Sequence, residues 1–299
     1  MSDRTNDRRP DFDPDAVPVS HAATVMLLDD RVAENSTEVE LHVLLVHRTA
    51  RVVFAPDMWV FPGGRVDPGD HAADLAALCR GMSDAEASTA LGVERSGLAW
   101  WLAAARETIE ETGLLLATDR AGLAPTAAVI ADIRNRVLAD EQAFGSELAA
   151  HDLVVDVTPI EEVARFITPV GPPRRFDARF FVARTPPNQE PSHDEGEIVN
   201  HAWFRPADAL ARWRDGEMEI MSPTVRMLAC LARYRAADQV LAVAKRRLPY
   251  QRVRVDDPSG EYRVLLPGEA GYDQAELEVE SGWVRLWEPD LLLTDRPED

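Results

Sequence analysis

The sequence predicts an α/β/α sandwich built around a mixed sheet, on the strength of three observations. Apolar runs at residues 22–28 and 41–47 have the length and composition of buried strands. An amphipathic helical pattern begins at Leu98. Strand-like and helical segments then alternate as far as residue 247, and such alternation places helices on both faces of one sheet.

A glycine turn follows the first strands. Residues 58–61 predict a short third strand, which leads through Pro62 into Gly63 and Gly64. Because glycine has no side chain, another group can approach the backbone closely at these positions. The sequence therefore predicts a ligand-binding turn here.

Residues 71–97 have a helical pattern of their own. One short helix is predicted over residues 71–79. Ser83 and Glu86 have the capping-box spacing that opens a second helix. We expect this segment to be a helical insertion in a domain that spans residues 19–248.

The helix that begins at Leu98 carries three glutamates, Glu107, Glu110 and Glu111, at positions i, i+3 and i+4. Residues with this spacing share one face of a helix. The opposite face is apolar and is expected to pack on the sheet through Leu98, Leu102, Ala105 and Ile109. Gly113 is the expected end of the helix, and residues 114–116 are predicted to begin a buried strand.

The rest of the chain continues the alternation. The pattern predicts one or two helices over 126–150, further helices over 206–214 and 222–247, and strands over 163–170, 179–183 and 199–204. Short strand-like runs at 252–255, 262–266, 275–279 and 282–286 predict a small β-rich C-terminal extension over residues 249–299. Residues 1–18, which are rich in Asp, Arg and Pro, are predicted to be a disordered tail.

Composition limits the classes of function. The chain has 299 residues, 45% of them hydrophobic, and no apolar run long enough to predict a membrane span. Its net charge of −20 argues against nonspecific binding to nucleic acid or anionic lipid. Cys79 and Cys230 form neither a disulfide framework nor a zinc spacing, which favours a location in the reducing cytoplasm.

Two interpretations of the glutamate trio are open. A solvated acidic helix face would need no ligand. Alternatively, the three carboxylates bind a divalent cation, because Arg106 alone does not balance their repulsion and Mg²⁺ prefers oxygen ligands.

The residues around the trio resemble the signature of the Nudix hydrolases. Gly64, five residues and Asp70 match the first half of the Nudix box, with Asp70 where the family has Glu. Residues 106–114, Arg-Glu-Thr-Ile-Glu-Glu-Thr-Gly-Leu, match the second half. Residues 71–105 stand where the family has seven residues, so the insertion lies inside the box. This long match with fixed positions favours a metal site.

The resemblance implies a role for each box residue. In other Nudix hydrolases the corresponding glutamates hold metal ions on a diphosphate. It implies that Glu107 and Glu111 are the main ligands of Mg²⁺ or Mn²⁺, that Glu110 is a further ligand or holds a water, and that Arg106 orients a glutamate. Asp70 or a glutamate of the trio is the candidate general base.

A narrower resemblance is to the branch that includes peroxisomal coenzyme A diphosphatases, which also has a long insertion in its box. It rests on residues 47–48, 54–64, 166–171, 174–181 and 264–268. Arg48 matches the first Arg of the coenzyme A signature of related enzymes. That signature has a second Arg and a Gly where this chain has Val53 and Asp57.

The expected activity is metal-dependent hydrolysis of a diphosphate bond in coenzyme A or acyl-coenzyme A, giving 3′,5′-ADP and (acyl-)phosphopantetheine. ADP-ribose, NADH or a dinucleoside polyphosphate is an alternative substrate. A second alternative is a non-catalytic ligand sensor with the same fold, although such a sensor has no need of the three glutamates.

The expected partner is a small-molecule nucleotide diphosphate, and a homodimer is left open. The residues expected to bind the substrate are Gly63, Gly64, Arg48, Arg65 and Arg175. Six arginines are candidate phosphate contacts: Arg48, Arg51, Arg65, Arg174, Arg175 and Arg179. Asp194, Glu195 or Glu197 is a candidate for a further metal ligand.

Overall fold

A computed structural model describes residues 13–32, 37–52, 55–193, 196–256, 263–275 and 281–286. The described strands are β1 (Val19–Val32), β2 (Val39–Arg48), β3 (Trp59–Val60), β4 (Gly63–Arg65), β5 (Cys79–Arg80), β6 (Ala117–Asp119), β7 (Leu153–Asp156), β8 (Glu161–Ile167), β9 (Arg175–Arg184), β10 (Ile198–Phe204), β11 (Gln251–Arg252), β12 (Arg254–Asp256), β13 (Arg263–Leu265) and β14 (Gly282–Val284).

The described helices are α1 (Ala73–Ala76), α2 (Asp84–Leu91), α3 (Leu98–Thr112), α4 (Ala127–Ala139), α5 (Ala143–Ala150), α6 (Pro206–Arg214), α7 (Ser222–Leu231) and α8 (Ala237–Lys245). In the part of the chain covered by the structure, none of these helices combines the length and the apolar character needed to cross a bilayer. Cys79 and Cys230 are both free thiols.

Nine strands form a central sheet in the order β10-β2-β1-β9-β8-β14-β11, with β3 beside β2 and β4 beside β1. Strand β1 pairs parallel with β9 and antiparallel with β2 and β4. The predicted mixed sheet is therefore confirmed. The antiparallel pairing of β1 with β4 brings the Gly63–Gly64 turn to the centre of the sheet.

Two hydrophobic cores lie on opposite faces of this sheet. Along β1, Val25 and Leu27 belong to the core that also contains α3, α4 and α5. Met26 and Leu28 belong to the core that contains α6, α7 and α8. Successive side chains of a strand point to opposite faces, so β1 serves both cores. The predicted α/β/α sandwich is confirmed.

The helix predicted over 222–247 and the strand predicted to begin at residues 114–116 differ from the structure. The single helix predicted over 222–247 is two helices, α7 and α8, separated at a turn whose Arg235 carbonyl accepts a hydrogen bond from Leu41 N at 2.9 Å. Residues 114–116 are buried, but strand β6 begins only at Ala117. The Gln189 side chain, rather than a strand, bonds both the N–H and the carbonyl of Leu115, at 2.8 and 3.2 Å.

The insertion contains less helix than predicted, and it also contains a strand. Helix α1 covers only Ala73–Ala76, because the chain then enters β5, which pairs parallel with β7. Strand β7 had no predicted counterpart, although Leu153-Val154-Val155 is an apolar run. The predicted capping box of α2 is confirmed: Ser83 N donates to Glu86 Oε2 at 2.8 Å, and Glu86 N donates to Ser83 Oγ at 3.3 Å.

The described part of the C-terminal region packs on the central sheet. Strand β14 pairs antiparallel with β8, and β12 pairs with β13. Of the strand predicted at 275–279, residues 276–279 lie outside the described residues, as do residues 1–12 of the predicted tail. The proposed division into tail, main domain and extension stays a prediction.

Candidate metal-binding active site

Helix α3 carries the glutamate trio to the edge of a cleft of about 1470 Å³. The helix forms because its first two turns are rich in Ala and Leu, which are strong helix formers, and because Gly113 ends it in the left-handed conformation, with φ of 70°. Its apolar residues are buried in the core, whereas Glu107, Glu110 and Glu111 all line the cleft. The structure thus brings the three predicted ligands together.

The two glycines of the turn are needed for close contact. Gly63 has φ of 151°, and a Cβ there would lie 2.3 Å from the carbonyl oxygen of Ala23. A Cβ on Gly64 would lie 2.4 Å from Glu107 Oε1. The backbone N–H of Gly63 donates to Glu111 Oε2 at 3.0 Å. Strand β4 can therefore lie directly against two of the glutamates only because it has no side chains there.

The buried guanidinium of Arg106 contacts two glutamates of the trio. The Arg106 side chain is only 3% exposed, and its Nε and Nη2 donate to the two oxygens of Asp70 at 3.0 and 3.1 Å. Its Nη1 lies 3.0 Å from Glu107 Oε1 and 3.2 Å from Glu110 Oε2. Its Nη2 also donates to the Arg65 carbonyl at 2.9 Å. Arg106 thereby fixes two glutamates relative to β4.

Asp70 is the partner of Arg106. Both its oxygens are engaged, since Oδ2 also accepts from Asp67 N at 2.8 Å, and its side chain is only 1% exposed. Asp67 and Asp70 form a capping box at the start of the short 3-10 helix Pro68–His71, and this holds the Asp70 carboxylate in place. At this position of the Nudix box the family has Glu, and the shorter Asp70 side chain still reaches the Arg106 guanidinium.

A second arginine holds the outer glutamate. Arg48, at the end of β2, donates from Nη1 to Glu111 Oε1 at 3.2 Å and from Nη2 to Glu197 Oε2 at 3.1 Å. Glu197 is thus next to the trio, as expected for a candidate ligand, although its side chain is 68% exposed. The other two candidates in that segment, Asp194 and Glu195, lie outside the described residues.

Burial makes the trio weakly acidic. It raises the pKa of Glu107 to about 7, against the opposing effect of Arg106. It raises the pKa of Glu110 to about 8, and the charge of Glu107 adds to this. The pKa of Glu111 is raised to about 8 by burial and then by Glu107, while Arg48 and Gly63 N oppose the shift. Removing a charged carboxylate from water is costly, so these groups favour either a proton or a cation.

The donor set fits Mg²⁺ or Mn²⁺. Every group in it offers a carboxylate oxygen, which hard cations prefer. Around the trio, Asp67, Asp70 and Glu197 bring the carboxylates to six, and Arg48 and Arg106 supply two positive charges. With all six carboxylates ionised, a divalent cation would offset two of the four remaining negative charges.

Another potential ligand group is already neutralised. Asp132, Glu147 and His151 offer ligand atoms within 4.8 Å of one another. Arg136 Nε lies 3.3 Å from Asp132 and 3.4 Å from Glu147, so a guanidinium supplies the positive charge there. These three residues carry no metal assignment.

The predicted arginines occupy different environments. The Arg65 side chain is 64% exposed and lines the cleft, as does Arg174. Arg175 Nε instead donates to the carbonyls of Thr168 and Pro169, both at 3.1 Å. Arg179 is buried in an ion pair with Glu162 at 2.6 Å. Neither Arg179 nor Arg51 lines the cleft, so neither is placed to contact a phosphate there.

Two acidic residues of the site, Asp67 and Glu141, are not among the site residues predicted from the sequence. Asp67 lies 3.5 Å from Arg106 Nη2, and its position before Pro68 is a helix-start signal that could have identified it. Glu141, between α4 and α5, lines the cleft, and its charge contributes to the raised pKa of Glu110. Nothing in its local sequence distinguishes Glu141 from other exposed acidic residues.

Comparisons with known proteins agree with this geometry. The family model described as the NUDT19 Nudix domain matches residues 83–231, which include α3 and the trio. The chain is 26% identical over 284 residues to acyl-coenzyme A diphosphatase NUDT19 of Gallus gallus, with 79% of this chain and 74% of that protein covered. It is 30% identical over 231 residues to the Homo sapiens protein of the same name, with 64% of this chain and 61% of that protein covered.

A solved structure supports the same assignment. The crystal structure of a NUDIX hydrolase from Alicyclobacillus acidocaldarius has a TM-score of 0.63 and 27% sequence identity, and it matches over 76% of this chain and 97% of its own. The family model and these similarities, together with the box residues gathered on α3, show that the chain is a hydrolase of the Nudix superfamily, on the branch of the coenzyme A diphosphatases.

Proposed function

We propose that this hydrolase cleaves the diphosphate bond of coenzyme A or acyl-coenzyme A, giving 3′,5′-ADP and phosphopantetheine or its acyl form. One observation carries the proposal. The carboxylates of Glu107 and Glu110, which are partly buried, and of Glu111, which is buried, face a cleft of about 1470 Å³. Relatives from Gallus gallus and Homo sapiens have the name acyl-coenzyme A diphosphatase, which supports the choice of substrate.

The trio is proposed to bind Mg²⁺ or Mn²⁺, which when bound would polarise a phosphorus atom and lower the pKa of the attacking water. Arg106 and Arg48 orient the carboxylates through the ion pairs at 3.0–3.2 Å. A glutamate of the trio would accept the proton. Asp70 is assigned a positioning role, because both of its oxygens already accept hydrogen bonds.

Cationic side chains would offset the charge of the substrate. Arg65 and Arg174 both line the cleft and are exposed, so they can move toward a phosphate group. We propose these two, with Arg48, as the phosphate contacts. Arg175 keeps its expected role only if its side chain leaves the carbonyls of Thr168 and Pro169.

A substrate panel tests the proposal. Coenzyme A, acyl-coenzyme A, ADP-ribose, NADH and a dinucleoside polyphosphate would each be incubated with Mg²⁺ or Mn²⁺, and the products identified by mass spectrometry. We expect the highest kcat/KM for coenzyme A or its acyl esters, with 3′,5′-ADP as a product. Faster cleavage of ADP-ribose or NADH than of coenzyme A and its acyl esters would show that the proposed substrate is wrong. Binding without turnover of any member would favour the sensor function.

A further inference from the structure

The cleft continues beyond the glutamate trio to the other face of the sheet. There it is lined by Phe166 of β8, by Phe176 and Ala178 of β9, by Met221 at the start of α7, and by Val264 of β13. We call these five residues the apolar arm. Phe176, Ala178 and Met221 are partly exposed, so their side chains are accessible to a ligand in the cleft.

The cleft is larger than a nucleotide requires. Ligand pockets for drug-sized molecules measure roughly 300–1,000 Å³, whereas this cleft measures about 1470 Å³. Its two ends differ in chemistry, because one end has the carboxylates of α3 and the other has aliphatic and aromatic side chains. A substrate that fits both ends has a charged diphosphate joined to a long, less polar group.

Hydrogen bonds fix the wall of the arm. Val264 N donates to Ser222 Oγ at 2.9 Å, and the Val264 carbonyl accepts a hydrogen bond from Arg226 Nε. Arg226 also pairs with Glu269 at 2.6 Å. These contacts attach the C-terminal region to α7, so this region forms a preformed side of the cleft.

Two of the charged side chains near the arm are paired with carboxylates. Arg226 and Arg263 also line this end of the cleft. Arg226 is paired with Glu269, and Arg263 lies 2.7 Å from Asp256. Because both guanidiniums have a carboxylate partner, neither calls for a second phosphate. Arg174, two residues before Phe176, is one of the phosphate contacts proposed above, and beyond it the arm is suited to an uncharged chain.

We propose that the apolar arm binds the acyl end of an acyl-pantetheine group and determines which chain lengths the enzyme prefers. The proposal rests on the proposed function, since it places the diphosphate of the same substrate at the glutamate trio. Burial of methylene groups against Phe176, Ala178 and Met221 would stabilise longer chains. The C-terminal region thereby contributes to substrate selection through Val264.

The test is a change in chain-length preference. In Ala178→Phe the larger side chain would occupy space in the arm. We expect the ratio of kcat/KM for decanoyl-coenzyme A to that for coenzyme A to fall by about tenfold or more. Leu123→Phe, at a loop residue that is 66% exposed, is the matched control and should keep the wild-type ratio. A second filling variant, Met221→Trp, should lower the ratio in the same direction and replaces Ala178→Phe if that variant does not fold.

A binding measurement separates this inference from the proposed function. Titration calorimetry in EDTA compares the Kd of decanoyl-coenzyme A and coenzyme A without turnover. We expect the acyl group to tighten binding to the wild type and to have a smaller effect in the filling variants. Absence of hydrolysis of both coenzyme A and decanoyl-coenzyme A by the wild type would refute the proposed function, and the ratio of the two Kd values would still test the arm. If the ratio of the two Kd values were equal in the wild type and both filling variants, the proposed role of the apolar arm in acyl binding would be refuted.

Discussion

At the scale of single residues, the acidity of the site is controlled by burial and by two arginines. Glu111 has pKa of about 8 although Arg48 is 3.2 Å away, because desolvation exceeds the effect of that pair. Asp70 is buried as well, but the bidentate Arg106 guanidinium accompanies it into the core. An acidic residue of the box is therefore either a proposed metal ligand, as Glu111 is, or an anchor for Arg106, as Asp70 is, depending on its partner.

Replacing Glu111 by Gln removes a charge from the trio and keeps the size of the side chain. We expect kcat to fall by more than about a hundredfold, because the change removes a proposed metal ligand. Circular dichroism should show an unchanged fold. Glu94→Gln, at an exposed residue of the insertion, is the control and should keep wild-type activity. A near-wild-type rate in Glu111→Gln would contradict the metal assignment.

Replacing Gly64 by Ala tests the close contact with β4. The added Cβ would lie 2.4 Å from Glu107 Oε1, so the carboxylate must move. We expect the affinity for Mn²⁺, measured by titration calorimetry, to fall about tenfold or more. Gly69→Ala is the control, because its Cβ would meet only Gln142 Cγ at 3.9 Å. Equal Mn²⁺ affinities in the two variants would show that Glu107 does not depend on the glycine.

At the scale of elements, the insertion supports the helix that follows it. Gly97, the N-cap residue of α3, has no side chain to cap the helix. Asp84 at the start of α2 takes this role, since its carboxylate accepts from Ser96 N at 2.9 Å and from Leu98 N at 3.1 Å. Gly97 N also donates to Ser88 Oγ at 2.9 Å. A long insertion inside the box is tolerated because it returns to the start of the glutamate-bearing helix.

Replacing Asp84 by Ala should therefore destabilise the protein through α3. The loss of a capping carboxylate costs about 1 kcal/mol in the free energy of unfolding. Urea denaturation monitored by circular dichroism measures it, and Glu94→Ala, which removes an exposed carboxylate from the same insertion, should cost less than about 0.5 kcal/mol. If both variants were equally stable, the capping role of Asp84 would be wrong.

At the scale of the whole molecule, the raised pKa values couple folding to pH and, through the proposed metal site, to binding of a cation. Glutamate in an unfolded chain titrates near about 4.3, while the trio titrates at about 7 to about 8 in the folded protein. Between these values the folded protein binds more protons than the unfolded chain. The contribution of the trio to the free energy of unfolding of the metal-free protein therefore falls as pH rises from about 5 to about 8.

Thermal unfolding in EDTA and in Mn²⁺ measures this coupling. We expect the Tm increase caused by Mn²⁺ to be larger at pH 8 than at pH 6, because the cation binds deprotonated carboxylates. Comparison with the triple variant Glu107→Gln/Glu110→Gln/Glu111→Gln isolates the trio from other titrating groups, including Glu162 and His201. The Mn²⁺ effect should be small and independent of pH in that variant. A larger Mn²⁺ effect at pH 6 in the wild type would contradict the prediction.

The sequence by itself determined the sandwich and the glutamate helix, because both depend on local periodicity. Strand alternation and the i, i+3, i+4 spacing are properties of neighbouring residues. The helical pattern over 222–247 did not indicate the break between α7 and α8, where the Arg235 carbonyl accepts a hydrogen bond from the distant Leu41 N. Strand β5 likewise forms only because β7 lies beside it.

For the site, the box motif was enough to identify the trio and its arginine. Tertiary structure alone decided that Asp70 accepts two hydrogen bonds from Arg106, that Arg48 holds Glu111, and that Glu141 lines the same cleft. These contacts join residues far apart in the chain. The physical reason is that burial and charge pairing, which set the pKa values and the shape of the cleft, depend on which distant segments the fold brings together.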